Sequence, residues 1–166
     1  NASELRKCAD QFHDLIRDLQ VNKISHCDLQ HDNIRVTTQG ELRLIDYDDM
    51  CVPGLEGQAA GGVGLPPYQH RDRSSSNFLS FSVDNFSAIF IYLVLRAVAA
   101  DPSIWRKYVI DRKYDKLLIQ GDDFLDTTSG LFFDLANSSD SDVRRIANRL
   151  IEFYYGAYDS IPSLES

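Results

Sequence analysis

Nineteen consecutive residues, Ser82 to Ala100 (SVDNFSAIFIYLVLRAVAA), are apolar on nearly every helical face. In a soluble chain such a helix belongs at the centre of the core, so the rest of the sequence must wrap it. Its most apolar part, Ala88 to Ala100, is interrupted by Arg96 and falls short of the ~20 residues that a bilayer crossing needs, so no membrane insertion is expected in this segment. With 166 residues the chain suits one domain, able to bury roughly two-thirds of the surface its unfolded form exposes. We therefore expect a single, mainly helical (α+β) domain over 1–166, built around a central helix at 82–100.

The remaining elements follow from period and punctuation. Leu5, Cys8, Ala9, Phe12, Leu15, Ile16 and Leu19 fall three and four apart, which predicts a helix over 3–20 with one buried face. Asn1-Ala2 resembles the remnant of a cleaved tag and is left outside that helix. Ile34-Arg35-Val36, the polar turn Thr37-Thr38-Gln39-Gly40 and Leu42-Arg43-Leu44-Ile45-Asp46 alternate as a small β-hairpin. Residues 47–80 hold Pro53, Gly54, Gly57, Gly61, Gly62, Gly64, Pro66, Pro67 and a serine run, which predicts one long loop. A loop of that length inside a domain is functional or mobile. Beyond Pro102, Trp105, Tyr108, Leu117 to Ile119 and Leu131 to Phe133 are expected core contacts of shorter helices. Val143, Ile146, Ala147, Leu150, Ile151, Tyr154 and Tyr155 make one stripe of a last helix that starts near Asp140 and stops at Gly156. The tail from Asp159 is expected to fray.

Charge and cysteine usage narrow the function classes. Seventeen basic against twenty-five acidic residues leave a formal charge of −8, the wrong sign for affinity gained by neutralising nucleic-acid phosphates. Cys8, Cys27 and Cys51 are widely spaced and form no Cys-x-x-Cys pair, so neither a disulfide framework nor a zinc knuckle is expected, and a reducing, cytoplasmic setting fits.

The chemistry is concentrated near the hairpin. His26-Cys27-Asp28-Leu29-Gln30-His31-Asp32-Asn33 matches H-x-D-L-x-x-x-N, and a hydrophobic strand then delivers Asp46 in Leu44-Ile45-Asp46-Tyr47-Asp48. Gly64-Leu65-Pro66-Pro67-Tyr68-Gln69-His70-Arg71-Asp72 follows, then Val83-Asp84-Asn85-Phe86-Ser87, and sixty residues after Asp84 comes Arg144. In this order the five features resemble the C-terminal lobe of the protein-kinase-like superfamily, as a divergent, bacterial-type Ser/Thr branch, over nearly the whole chain. The resemblance implies a catalytic loop at 26–33, a metal-binding segment at 46–48, an activation-type segment at 47–72 and a central helix at 82–100. It implies Asp28 as the catalytic base for an attacking hydroxyl, and Asn33 and Asp46 as Mg²⁺ ligands that hold the phosphates of ATP. His26 would pack beneath the loop, Asp84 would accept backbone N–H bonds from it, and Asp72 would pair with Arg144. Two aspartates and an asparagine suit a reaction that depends on positioning and charge neutralisation, and oxygen donors suit a hard cation.

The departures from the family bear on activity. Cys27 stands where many protein kinases carry a phosphate-reading arginine, Gln30 where Ser/Thr kinases usually carry a lysine, and Asp48 where the metal-binding triplet ends in glycine. Gln30 can donate a hydrogen bond but adds no charge at the transferring phosphate. No G-x-G-x-x-G strand-loop-strand and no strand lysine precede His26. The ATP-clamping N-terminal lobe is therefore absent from this sequence, and a longer parent protein is expected to supply it. For that parent the resemblance implies an ATP-dependent transferase acting on Ser/Thr hydroxyls of a protein substrate; the isolated chain is expected to bind ATP weakly or not at all. Two alternatives stand beside it: a small-molecule phosphotransferase resembling the aminoglycoside and choline kinases, which share H-x-D-x-x-x-x-N and a later I-D, and a pseudokinase serving as a binding or regulatory module.

Overall fold

The computed structural model describes residues 1–75, 77–111 and 117–165. Helix α1 spans Ala2–Val21 and begins on Asn1, whose side chain accepts the Glu4 amide at 3.0 Å in a reciprocal capping box. Asn1 and Ala2 are thus part of the helix start. The apolar stripe buries Ala9, Phe12 and Ile16 against helix α2, Asn85–Ala100. Eleven residues of α2 are buried, from every side of the helix, as a core position requires. It starts three residues later than the apolar run, because Ser82 to Asp84 form a turn whose last carboxylate is engaged elsewhere.

The hairpin pairs β1, Ile34–Val36, with β2, Leu42–Leu44, antiparallel, with Ile34 opposite Leu44, Arg35 opposite Arg43 and Val36 opposite Leu42. Gly40 closes the turn at φ +77°, a conformation that a side chain would strain. The Arg35–Arg43 pair places like charges across the exposed face, and Glu41 offsets it with a 2.8 Å bond to Arg43. Gln11 of α1 fixes the ribbon to the helix: its Nε2 donates to the Gly40 carbonyl at 3.1 Å and its Oε1 accepts the Leu42 amide at 3.1 Å.

After α2 the chain turns through α3, Pro102–Trp105, which widens into a π-helical turn at Arg106–Ile110. Tyr108, Leu118 and Ile119 are buried there, and Leu117 packs on the core. Helix α4, Gly130–Ala136, buries Leu131 and Phe132 but leaves Phe133 exposed, since adjacent helical positions cannot all face one core. Helix α5, Ser141–Tyr155, starts on Asp140, whose carboxylate accepts the Asp142 and Val143 amides, and ends at Gly156. Its stripe buries Val143, Ile146, Ala147 and Leu150 against α2; Tyr155 is half exposed and donates instead to the Phe124 carbonyl. Among the described residues no single helix is long and apolar enough to cross a membrane.

Two regions differ from the sequence expectation. The tail does not fray: Tyr158–Ser160 make a 3₁₀ turn, Ile161 is buried, and its carbonyl accepts Asn85 Nδ2 at 2.8 Å. Nor is 47–80 without structure. A bridge joins Ala59 to Phe78, 3₁₀ turns form at Pro66–Tyr68 and Arg73–Ser75, and Tyr68, Gln69, His70 and Arg73 are buried. Glycines and prolines exclude a helix or long strand, but they leave a loop free to bury side chains. The expected loop content at Ser76 lies outside the described residues.

Candidate functional site

The 26–33 loop is held from below by a buried carboxylate. Ser25 pairs with Cys51 through two backbone bonds of 3.0 and 2.9 Å, which brings the chain into the core just before His26. Asp84, placed by the first turn of α2, then accepts the His26 amide on Oδ2 at 2.5 Å and the Cys27 amide on Oδ1 at 2.9 Å. It makes no capping bond to its own helix. The bonds into the loop, across 58 and 57 residues of sequence, are what its carboxylate does. Burial raises its pKa to about 6 against the opposing pull of the two amides, His26 and Arg73.

His26 is fully buried; its ring Nε2 lies 2.9 Å from the Ile45 carbonyl and donates to it, while Nδ1 has no partner among the described residues. The Ile45 amide in turn donates to the Asn33 carbonyl at 3.0 Å. Ile45 is thereby gripped on both its polar groups, immediately before Asp46. Asp46 itself sits at φ +66° and Cys27 at φ +68°, left-handed positions that cost non-glycine residues of order 1–3 kcal/mol each and persist where the surroundings over-determine them. Asp tolerates this backbone through its short polar side chain; Cys27 is held there by the Asp84 bond to its amide. The Cys27 thiol is pushed up to about 11 by burial, so it stays protonated at neutral pH and is no nucleophile.

Asp28 and Asn33 meet directly. Asn33 Nδ2 donates to both the Asp28 carbonyl and Asp28 Oδ2, each at 2.9 Å, and Gln30 Nε2 donates to the same Oδ2 at 3.0 Å. Asp28 Oδ1 accepts the Leu65 amide at 3.0 Å. Three of the roughly four acceptor positions of the carboxylate are therefore used. The one remaining is on Oδ1, beside Gly64. That glycine stands at φ +76°, and a Cβ there would lie 2.5 Å from Gln69 Nε2 and 3.1 Å from Asp28 Oδ1. Gly64→Ala is expected to destabilise the chain by about 1–2 kcal/mol and to speed hydrogen exchange at the Leu65 amide. Urea unfolding with exchange mass spectrometry checks both; unchanged values would contradict the close approach.

The segment at 64–72 is tied down beyond Leu65. Tyr68 is buried, stacks on His31 at 5.7 Å and shares a 2.9 Å bond between its hydroxyl and His31 Nδ1; its carbonyl accepts Ser87 Oγ at 2.8 Å. His70 is buried against Phe86, with Nε2 3.0 Å from the Phe153 carbonyl and Nδ1 accepting the Asp72 amide at 3.1 Å. None of these ties was anticipated from sequence. Ser87 carried a signal: a hydroxyl inside an otherwise apolar core helix needs a partner.

Of the expected site residues, Asp28 and Asn33 are in contact, and His26 and Asp84 lie beneath them. Asp46 joins them through the hairpin backbone; its side chain is exposed, and among the described residues it makes no hydrogen bond. Asp72 and Arg144 do not form the expected pair. Arg144 donates to the Ser138 carbonyl six residues before it, and Asp72, largely exposed, lies 3.8 Å from Arg71 and 4.0 Å from His70. The local acceptor wins because reaching it needs no ordering of a long segment.

The donor set can be tested for a divalent cation. Asn33 Nδ2 is committed to Asp28, and among the described residues neither Asn33 Oδ1 nor the Asp46 carboxylate makes a hydrogen bond. Both are oxygen donors, the kind that Mg²⁺ takes. Among the described residues no group of three or more His, Cys, Asp or Glu is arranged to hold a metal, so an ion here would rest on Asn33, Asp46 and ligands from outside the chain. No protein-family model matches the chain, and no curated protein matches it.

Proposed function

We propose that the chain is the catalytic-loop lobe of a protein-kinase-like, ATP-dependent phosphotransferase, with a protein Ser/Thr hydroxyl as acceptor. The observation that carries this reading is the joint placement of Asp28 and Asn33, bonded to each other at 2.9 Å on a loop whose backbone is gripped by Asp84. Asp28 Oδ1 would take the hydroxyl proton at its open acceptor position beside Gly64; Asn33 and Gln30 hold the carboxylate in orientation. Asn33 and Asp46 would hold Mg²⁺, which supplies charge neutralisation for the transferring phosphoryl group. A second lobe must clamp the nucleotide, and we assign the chain no turnover on its own.

The test uses the chain together with a nucleotide-clamping lobe, as the longer parent protein that this reading requires. With labelled ATP and Mg²⁺, protein is expected to be phosphorylated, and Asp28→Ala is expected to lower the rate by about 10²–10⁴-fold, the range for loss of a general base. Transfer only to small alcohols would favour the aminoglycoside- or choline-kinase type. One observation favours a pseudokinase: three donors already occupy Asp28. Absence of any nucleotide-dependent rise in thermal midpoint would favour that second reading, since a ligand of the native state must stabilise it.

A further inference from the structure

A second polar concavity lies where α1, α2, α5 and the tail meet, and it shares no residue with the Asp28 site. It encloses about 90 Å³. His13 of α1, Tyr92 of α2, and Arg145 and Arg149 of α5 line it, with Phe153 and the tail residues from Pro162 to Leu164. The two arginines are four residues apart on one helix face, so both guanidinium groups reach the same opening. Arg149 lies over the Phe153 ring at 5.1 Å, which positions a planar cation by its face and leaves its N–H edge for a ligand. Among the described residues Arg149 has no carboxylate within 4.0 Å. Tyr92 Oη accepts Arg96 Nη1 at 3.0 Å, so its own proton remains to be donated.

The charge pattern is the opposite of the chain's. Against a net charge of −8, none of the ten lining residues is acidic. The acids at the start of α5 are already engaged: Asp140 binds Arg96 at 2.9 Å, and Asp142 binds Arg96 at 3.4 Å and Arg145 at 3.2 Å. The wall therefore presents guanidinium, phenol and imidazole groups around a space of the size of one small polyatomic anion. Guanidinium edges match tetrahedral oxyanions, because two N–H bonds can meet two oxygens in parallel.

We propose that this notch binds one tetrahedral oxyanion, as inorganic phosphate or as the phosphate group of a phosphorylated side chain. The ¹⁵N-labelled chain is titrated with inorganic phosphate at constant ionic strength, with chloride as the balancing salt. Saturable shifts are expected at the amides around His13, Tyr92, residues 145–153 and 162–164. Arg149→Gln is expected to weaken binding by about tenfold, and the double variant Arg145→Gln, Arg149→Gln to abolish it, as loss of charge-assisted bonds requires. Arg106→Gln, on a different helix, should titrate like the parent. A phosphoserine peptide binding more tightly than free phosphate assigns the protein-borne source; equal affinity assigns the free ion. Shifts that stay linear in phosphate, or that map elsewhere, overturn the proposal. An Arg149→Gln chain with an unchanged thermal midpoint and unchanged affinity overturns it as well. Should that variant lose its fold, the shift map of the parent decides the matter.

Discussion

Replacing Asp84 with alanine is expected to lower the unfolding free energy by about 3–5 kcal/mol, because two buried backbone donors lose their acceptor at once. The residue is 7% exposed, and water cannot replace the carboxylate without opening the base of the loop. Asp84→Asn keeps one acceptor oxygen and should lose less. Both variants also differ from the parent in their response to pH. The folded-state pKa of Asp84 is raised from 3.8 to about 6 by burial, so between those values the folded chain binds more protons than the unfolded one. Its contribution is therefore favourable below about pH 4 and declines as pH rises towards 6, by on the order of 3 kcal/mol, then levels off. Asp84→Asn removes that slope. Urea titrations of parent and variant at several pH values read the difference directly; a parent stability that climbs relative to Asp84→Asn over the same window would contradict the assignment.

Phe86→Ala is expected to cost about 3–5 kcal/mol, the range for truncating a fully buried aromatic. The ring is 1% exposed and touches three others: His70 edge-on at 5.6 Å, Tyr154 at 6.3 Å and Phe90 at 6.4 Å. It also forms the floor of a cleft of about 200 Å³ lined by Gly64, Pro66, Gln69 and Tyr154. Its loss removes core surface and the support of His70 together. Beyond the drop in stability, the Asp72 amide, which donates to His70 Nδ1, should exchange faster. Phe86→Leu, closer in volume, should lose much less, typically under about 1.5 kcal/mol. A Phe86→Ala chain within 1 kcal/mol of the parent, by urea unfolding, would mean that the cleft collapses without penalty.

What could be read in advance follows from how each feature is encoded. Helices α1 and α5 write one buried face as a three-and-four spacing, and α2 writes burial on all sides as a continuous apolar run, so all three were legible. The hairpin showed itself by alternation and by Gly40. The spacing of Asp28 and Asn33 placed both on one short loop, but their direct bond was not expected, since the resemblance implies Asn33 as a metal ligand. Burial of Ile161 was not: one apolar residue has no period, and its partner Asn85 lies 76 positions away. The Leu65 bond to Asp28 was invisible for a related reason, because a backbone amide carries no side-chain signal. The Asp72–Arg144 pair failed where tertiary placement had to be inferred from spacing between helices.

The grip of Asp84 on His26 and Cys27 also sets an order of events during synthesis. A nascent chain that has emerged only as far as residue 60 already displays Asp28, Asn33 and Asp46, yet it lacks the carboxylate that anchors their loop. Closing the intervening span, and nucleating α2 on the far side of it, must precede any lasting arrangement of those three residues. Translation of the hydrophobic helix is thus the step that fixes the backbone on which Asp28 meets Asn33.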